Sequence, residues 1–307
     1  MTQPKRTLVL WLWLWLGAQA LAQDFTADTL LRRYQSLQAQ LAAKPLGVPA
    51  WVESGEEGDS VRGDVYTLLE QPFNSLLSQL TLPAAWCQVV LLHLNTKACT
   101  SDQAGGHNWL TLYSGRKGYE APQAAYPLRF AFENTDVHPL HLEVTLRAPV
   151  GPLGSSDYRI TVAAIPVGQG SFVQVSYAFR SSTMSRLATQ LYLSTLGQGK
   201  QGFSMAATDG GGPPQYVRGM RGIVERNAVR YYFAVQAYLE CLALPPAQRF
   251  ERAIARWFEL TEQFPVQLHE VERQDYLAAK RREYDAQRQL QHTMDAATPG
   301  DRPEPAL

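Results

Sequence analysis

Residues 24–45 place Phe25, Leu30, Leu31, Tyr34, Leu37 and Leu41 close to the 3.6-residue period of an amphipathic helix that ends near Pro45. The polar stretch 46–60, with Pro49, Gly55, Gly58 and the acids Glu53, Glu56, Glu57 and Asp59, reads as a loop. Val61, Gly63, Val65, Thr67 and Leu69 then alternate with Arg62, Asp64, Tyr66, Leu68 and Glu70, the period of a half-buried strand. Pro72 opens a short helix in which Phe73, Leu76, Leu77 and Leu80 share one face. A Trp86-Cys87 corner follows, and the run Val89 to Leu94 fits a helix end or a strand equally well.

From 108 to 181 the pattern is strand after strand. NWLTLYSGRK, YPLRFAFE and LHLEVTLRAP are divided by Gly, Pro, Asn and Asp, and YRITVAAI and SFVQVSYAF flank the hairpin loop Pro166 to Gly170. Short connections without crossover helices predict an antiparallel sheet with one polar and one apolar face. Ser182 or Thr183 caps a helix running to about Leu196, and residues 200–207 read as one more strand. The loop Asp209 to Pro214 is glycine-rich but precedes no helix start, so it is a surface turn and not a phosphate cradle. Residues 222–244 are apolar nearly all round, which predicts a helix buried on several sides; Arg230 and Glu240 argue against a membrane span. A helix from Ala247 to Phe264 follows, then a polar helix from 266 to about 292 read as mostly a solvated face, and a Pro-rich tail over 295–307.

The first 22 residues change the picture most. Lys5-Arg6, the apolar run Leu8 to Leu16 and Ala20-Leu21-Ala22 are the three parts of a secretory signal peptide cleaved near Ala22, so the chain is expected to be exported, periplasmic or secreted. The whole chain carries 28 basic and 28 acidic residues; without that segment 26 and 28 remain, a net charge of −2, which excludes an electrostatic footprint for nucleic acid. In an oxidising compartment Cys87 and Cys99 are expected to form a disulfide, two buried thiols being the alternative, while Cys241 is a buried side chain of the apolar helix.

The strand carrying Asp64-Val65-Tyr66, the Pro72-Phe73 helix, the Trp86-Cys87 corner, the run of antiparallel strands and the long apolar helix resemble, in that order, the START-like superfamily, also called SRPBCC, over residues 58–244. The resemblance implies an α+β helix-grip fold: a curved antiparallel sheet wrapped around a long C-terminal apolar helix, with an apolar cavity between them. Extra helices stand at both ends, a leading helix and loop over 23–57 and a helical extension over 245–294.

Candidate cavity residues are Tyr113, Phe130, Phe132, Tyr177 and Phe179 from the strands and Arg230, Tyr231, Val235 and Tyr238 from the helix, each of which would otherwise simply fill the core. Arg226 and Arg230, one turn apart, suit a carboxylate or phosphate, although Arg221 and Glu225 form a plain helix pair. His138, His141 and Glu143 suggest a metal, but an i, i+3 spacing on one strand sends the imidazoles to opposite faces, so none is expected. No cofactor and no catalytic motif is implied. The expected function is binding or carriage of a hydrophobic small molecule, a lipid first among them. The alternatives are an enzyme of the same shape using Arg230 or Glu225, and an interaction protein meeting an envelope partner through its C-terminal helices.

Overall fold

The computed structural model describes residues 25–195, 197–206 and 215–297. The expected signal peptide, the 209–214 loop and the tail beyond residue 297 lie outside the described residues. Helix α1 (Ala27–Ala43) starts at Thr26, whose hydroxyl accepts from Thr29 N–H, and stops at Lys44 in the left-handed region. The stretch expected to be a loop is instead a strand, β1 (Ala50–Glu57), turned back at Gly58 onto β2 (Ser60–Leu69). Ala50 and Val52 point inward, while the acidic end of β1 is exposed at the sheet edge, and that edge position is why its composition looks like a loop.

Helix α2 (Phe73–Leu80) packs its apolar face inward, and the ambiguous run after it begins as helix α3 (Pro83–Leu91) with proline in the first turn. Trp86 Nε1 donates to the carbonyl of Leu80 at 2.6 Å and sets the corner. The expected disulfide is present, joining Cys87 of α3 to Cys99 of β3 (Thr96–Ala104). Strands β4 (His107–Ser114), β5 (Tyr126–His138), β6 (His141–Val150), β7 (Ser156–Val167) and β8 (Gly170–Arg180) complete one antiparallel sheet in the order β1-β2-β8-β7-β6-β5-β4-β3. Helix α4 (Thr183–Ser194) opens with reciprocal hydrogen bonds between Ser182 and Ser185. Residues 200–206 do not form a regular strand: Met205 makes an isolated bridge to Tyr216, with backbone hydrogen bonds from Gly202 and Ala206 to the 215–217 segment.

The curved sheet grips α5 (Gly219–Glu240), the apolar helix of the sequence. A Cβ placed on Gly63 would lie 2.6 Å from the backbone carbonyl of Val224, so the start of α5 rests on β2 with no side chain between them. Glu225, fully buried, holds this end: Oε2 accepts from Phe203 N–H at 2.6 Å and Ser204 N–H at 2.9 Å, and Oε1 accepts from Ser54 Oγ at 2.5 Å and from Ser204 Oγ. On the other face of the sheet α1 sets Leu30, Leu37 and Leu41 against Tyr66, Ile165 and Phe172.

After α6 (Pro246–Thr261) and the single turn α7 (Pro265–Leu268) comes α8 (Arg273–Ala296), which corrects the expectation of a solvated face. Its Tyr276, Leu277, Lys280, Glu283 and Gln287 are buried against β3 and the turn before it. Strand β3 is a sheet edge, and α8 serves its unpaired groups: Gln287 Oε1 accepts from Cys99 N–H at 2.7 Å, while Gln291 accepts from Ser101 N–H at 2.8 Å and donates to its carbonyl at 3.0 Å. Lys97 and Lys280 flank Glu283 at 3.0 and 2.8 Å, and both ammoniums also donate to backbone carbonyls. The helix read as a solvated face because its inward face is itself partly polar.

Replacing Glu283 by Gln leaves two buried ammoniums without a counter-charge and is expected to lower unfolding stability by about 3–5 kcal/mol in chemical denaturation. Burial, resisted by Glu283, pushes the Lys280 ammonium down to about 8 from 10.5. The folded chain therefore sheds this proton before the unfolded chain does, and Lys280 adds stability as pH rises from about 8 to about 10.5. The stability of wild type relative to Lys280→Met should therefore rise across that window; a constant difference would refute the assignment.

Candidate functional site

Between α5 and the inner face of the sheet lies a cavity of about 170 Å³. Its apolar wall comes from Leu112, Leu128, Phe130 and Ile160, and its aromatic end from Tyr158, Tyr177 and Tyr231. Alternation on the strands selects them: Leu112 and Ser114 of β4 face the cavity, so the residue between them cannot. His93 and Asn95 from the turn before β3, with Asn227 of α5, supply the polar part of the lining. A larger groove of about 730 Å³ beside the disulfide, between α3, β3 and α8, is open to solvent.

His93 is the singular group here. Its Nδ1 accepts from Asn95 N–H at 3.2 Å, so the ring proton sits on Nε2. That Nε2–H is buried and closes no hydrogen bond within 3.5 Å among the described residues, the Asn227 side chain interacting with the ring only from longer range, an arrangement that costs about 1–3 kcal/mol unless something accepts the bond. The imidazole stacks on Tyr231 with ring centres 4.9 Å apart, and Tyr231 leads on to Tyr177 at 5.6 Å. Burial first, then the charge of Arg230, pushes the His93 pKa well below the usual histidine value, so the ring is neutral. Burial likewise raises the phenols of Tyr177 and Tyr231.

Of the nine residues proposed from sequence, Phe130, Tyr177 and Tyr231 line this cavity. Phe179 stands one ring behind it, stacked on Tyr158 at 5.2 Å. Phe132 packs against Trp86 at 6.5 Å, and Val235 is plain core. Tyr238, further along α5, donates to Gln79 Oε1 at 3.2 Å, and Tyr113 points from β4 to the opposite face. Arg230 turns onto Glu270 at 3.0 Å, beneath a set of cations that includes Arg226, Lys117 and Lys200. Burial would raise the Glu270 carboxyl, but Arg230 and Lys117 outweigh it and hold it low. Burial, reinforced by Arg230, brings Arg226 down to about 10. Glu225 and Arg230 are thus engaged by the chain itself, and sequence reasoning missed His93, Asn95, Tyr158 and Asn227. A lone histidine inside the apolar run LLHL was the available signal.

An eight-stranded antiparallel sheet closed on a C-terminal helix over a small cavity defines a helix-grip protein. No family model and no curated protein matches the chain in sequence. Among solved structures it is similar to Ara h 8.0201 at 9% identity and a TM-score of 0.35, covering 62% of this chain and 99% of that one. It is similar to truncated norcoclaurine synthase from Thalictrum flavum at 14% identity and a TM-score of 0.31, covering 47% and 91%. A protein from Chromobacterium violaceum matches at 13% identity and a TM-score of 0.29, covering 46% and 94%.

The His93 geometry is open to direct test. Long-range ¹H–¹⁵N NMR spectra are expected to show a neutral ring protonated on Nε2 at about pH 6.5, the ordinary midpoint. A half-charged ring at that pH would contradict the burial argument.

Proposed function

We propose that this chain is an exported START-like protein that binds a compact hydrophobic molecule carrying one hydrogen-bond acceptor. The observation that supports this best is the buried Nε2–H of His93, which closes no hydrogen bond among the described residues, at the polar end of a cavity whose wall is apolar and aromatic. A hydroxyl, carbonyl or carboxylate oxygen on the ligand would take that bond and remove the desolvation penalty. The volume, about 170 Å³, lies below the roughly 300 Å³ at which ordinary ligand sites begin, so the occupant is a ring system or a short acyl chain. A lipid satisfies the reading if its compact end is what enters. Export is supported by the N-terminal residue pattern and by the Cys87–Cys99 disulfide, which belongs in an oxidising compartment.

An enzyme built on this site would use neutral His93 and its neighbouring phenols, since Glu225 and Arg230 are held by the chain. A protein partner at the C-terminal helices would meet the outer face of α8, its inner face being docked on β3.

Native mass spectrometry of protein purified from its own envelope, followed by organic extraction, tests the reading. A stoichiometric adduct that Leu128→Trp reduces at least roughly 10-fold is expected, since the indole fills the cavity at a cost of about 1–3 kcal/mol in stability. A wild-type protein that stays empty in the presence of envelope extracts would overturn it.

A further inference from the structure

The β5–β6 hairpin contains a juxtaposition that neither the fold nor the cavity uses. Residues 138 and 141 are not on one strand, as their spacing suggested. They are cross-strand partners flanking the Pro139-Leu140 turn, so both imidazoles lie on the same face with ring centres 5.9 Å apart. The earlier expectation of opposite faces fails because the chain reverses between them. Asp136 joins them, and one ligand atom from each of the three lies within 4.8 Å of the others.

The hydrogen-bond arrangement of His141 is informative. The ring is fully buried, and its Nε2 lies 2.7 Å from the carbonyl of Phe25, an oxygen that only accepts, so Nε2 carries hydrogen. The other nitrogen, Nδ1, faces Asp136 Oδ2 at 2.9 Å, a second acceptor. Two acceptors at that distance need a cation between them, a proton or a metal. A proton would need Asp136 alone. The second imidazole argues for the metal: His138 is exposed, and the hydrogen bond its ring accepts from Leu140 N–H at 3.2 Å is one that water can replace.

We infer that Asp136, His138 and His141 form a site for a divalent transition metal of zinc type. Two imidazoles and a carboxylate are the donor set such ions take, leaving a position for water. The Phe25 carbonyl fixes the His141 ring from behind, as a backbone oxygen commonly does for a ligating histidine. Bonds of about 2.1 Å bring ligand atoms to within about 3.4 Å of one another, and rotation of the exposed Asp136 and His138 side chains closes that gap while His141 stays still. The bound ion would pin the tip of the hairpin to the start of α1.

The test is zinc titration of the untagged, chelator-treated full chain by competition with a chromophoric chelator, with thermal unfolding in parallel. One zinc per chain is expected, with a rise in Tm on addition. Asp136→Asn and His138→Gln should each weaken binding at least about 10-fold and abolish the Tm rise, and His138→Gln should leave the metal-free Tm and the far-ultraviolet circular dichroism unchanged. His138 is exposed and touches no buried side chain by hydrogen bond, so its variant separates metal binding from folding, and His141 is left in place because it holds α1. Absence of stoichiometric binding, or binding unchanged by His138→Gln, would overturn the site; neither result bears on the cavity.

Discussion

At Gly63 the backbone of β2 and the backbone of α5 touch with nothing between them, since a Cβ there would meet Val224 at 2.6 Å. One residue further along the helix, Glu225 gathers hydrogen bonds from β1 and from the segment before α5, so this end of the grip is closed and dry. The cavity begins where contact of that kind stops. Asn227 and Tyr231 put side chains between helix and sheet, and the strands opposite them carry residues that do not fill the space. Closure at one end and incomplete filling beyond it are two consequences of how near the helix can approach.

Buried charge recurs, and in each case the chain answers it from a distant element. Glu225 is met from β1 and the 200–206 segment, Glu270 from α5 and the turn after β4, and Glu283 from β3 and its own helix. Such networks add little net stability compared with well-packed apolar groups, but removing one partner is severe. They act as register marks, tying elements added after the gripped helix to particular positions on the sheet. The edge of β3 shows the same logic with neutral groups, where Gln287 and Gln291 take the place of a neighbouring strand.

The electrostatics around the cavity follow from this arrangement. Arg230 is turned away from the cavity, yet its charge helps keep His93 neutral, so the imidazole presents a hydrogen-bond donor without a positive charge. A neutral donor among tyrosines and aliphatic side chains favours an uncharged polar handle on the ligand as readily as an anionic one. The arginines Arg226 and Arg230, for which sequence left both a ligand role and a structural one open, belong to a cation cluster that fastens the α7–α8 connection to α5.

Periodicity in the chain was enough for α1, α2, α5, α6 and six of the eight strands, because there a purely apolar face meets a core and the repeat shows. It failed at β1 and β3, the two edge strands, where one side faces solvent or glutamines and the residues look like loop. It misjudged α8 because Lys280, Glu283 and Gln287 are buried by pairing across more than 180 residues, which local composition cannot reveal. The cavity was legible in kind, through Phe130, Tyr177 and Tyr231, but not in its polar part. His93 and Asn227 meet only when the turn before β3 is brought against α5, as His138 and His141 meet only when the hairpin reverses. Sequence by itself determined the elements whose buried face is apolar, since that pattern depends on neighbours two to four residues away. Tertiary structure decided which polar groups face each other and whether they are satisfied, because that depends on distances between segments far apart in the chain.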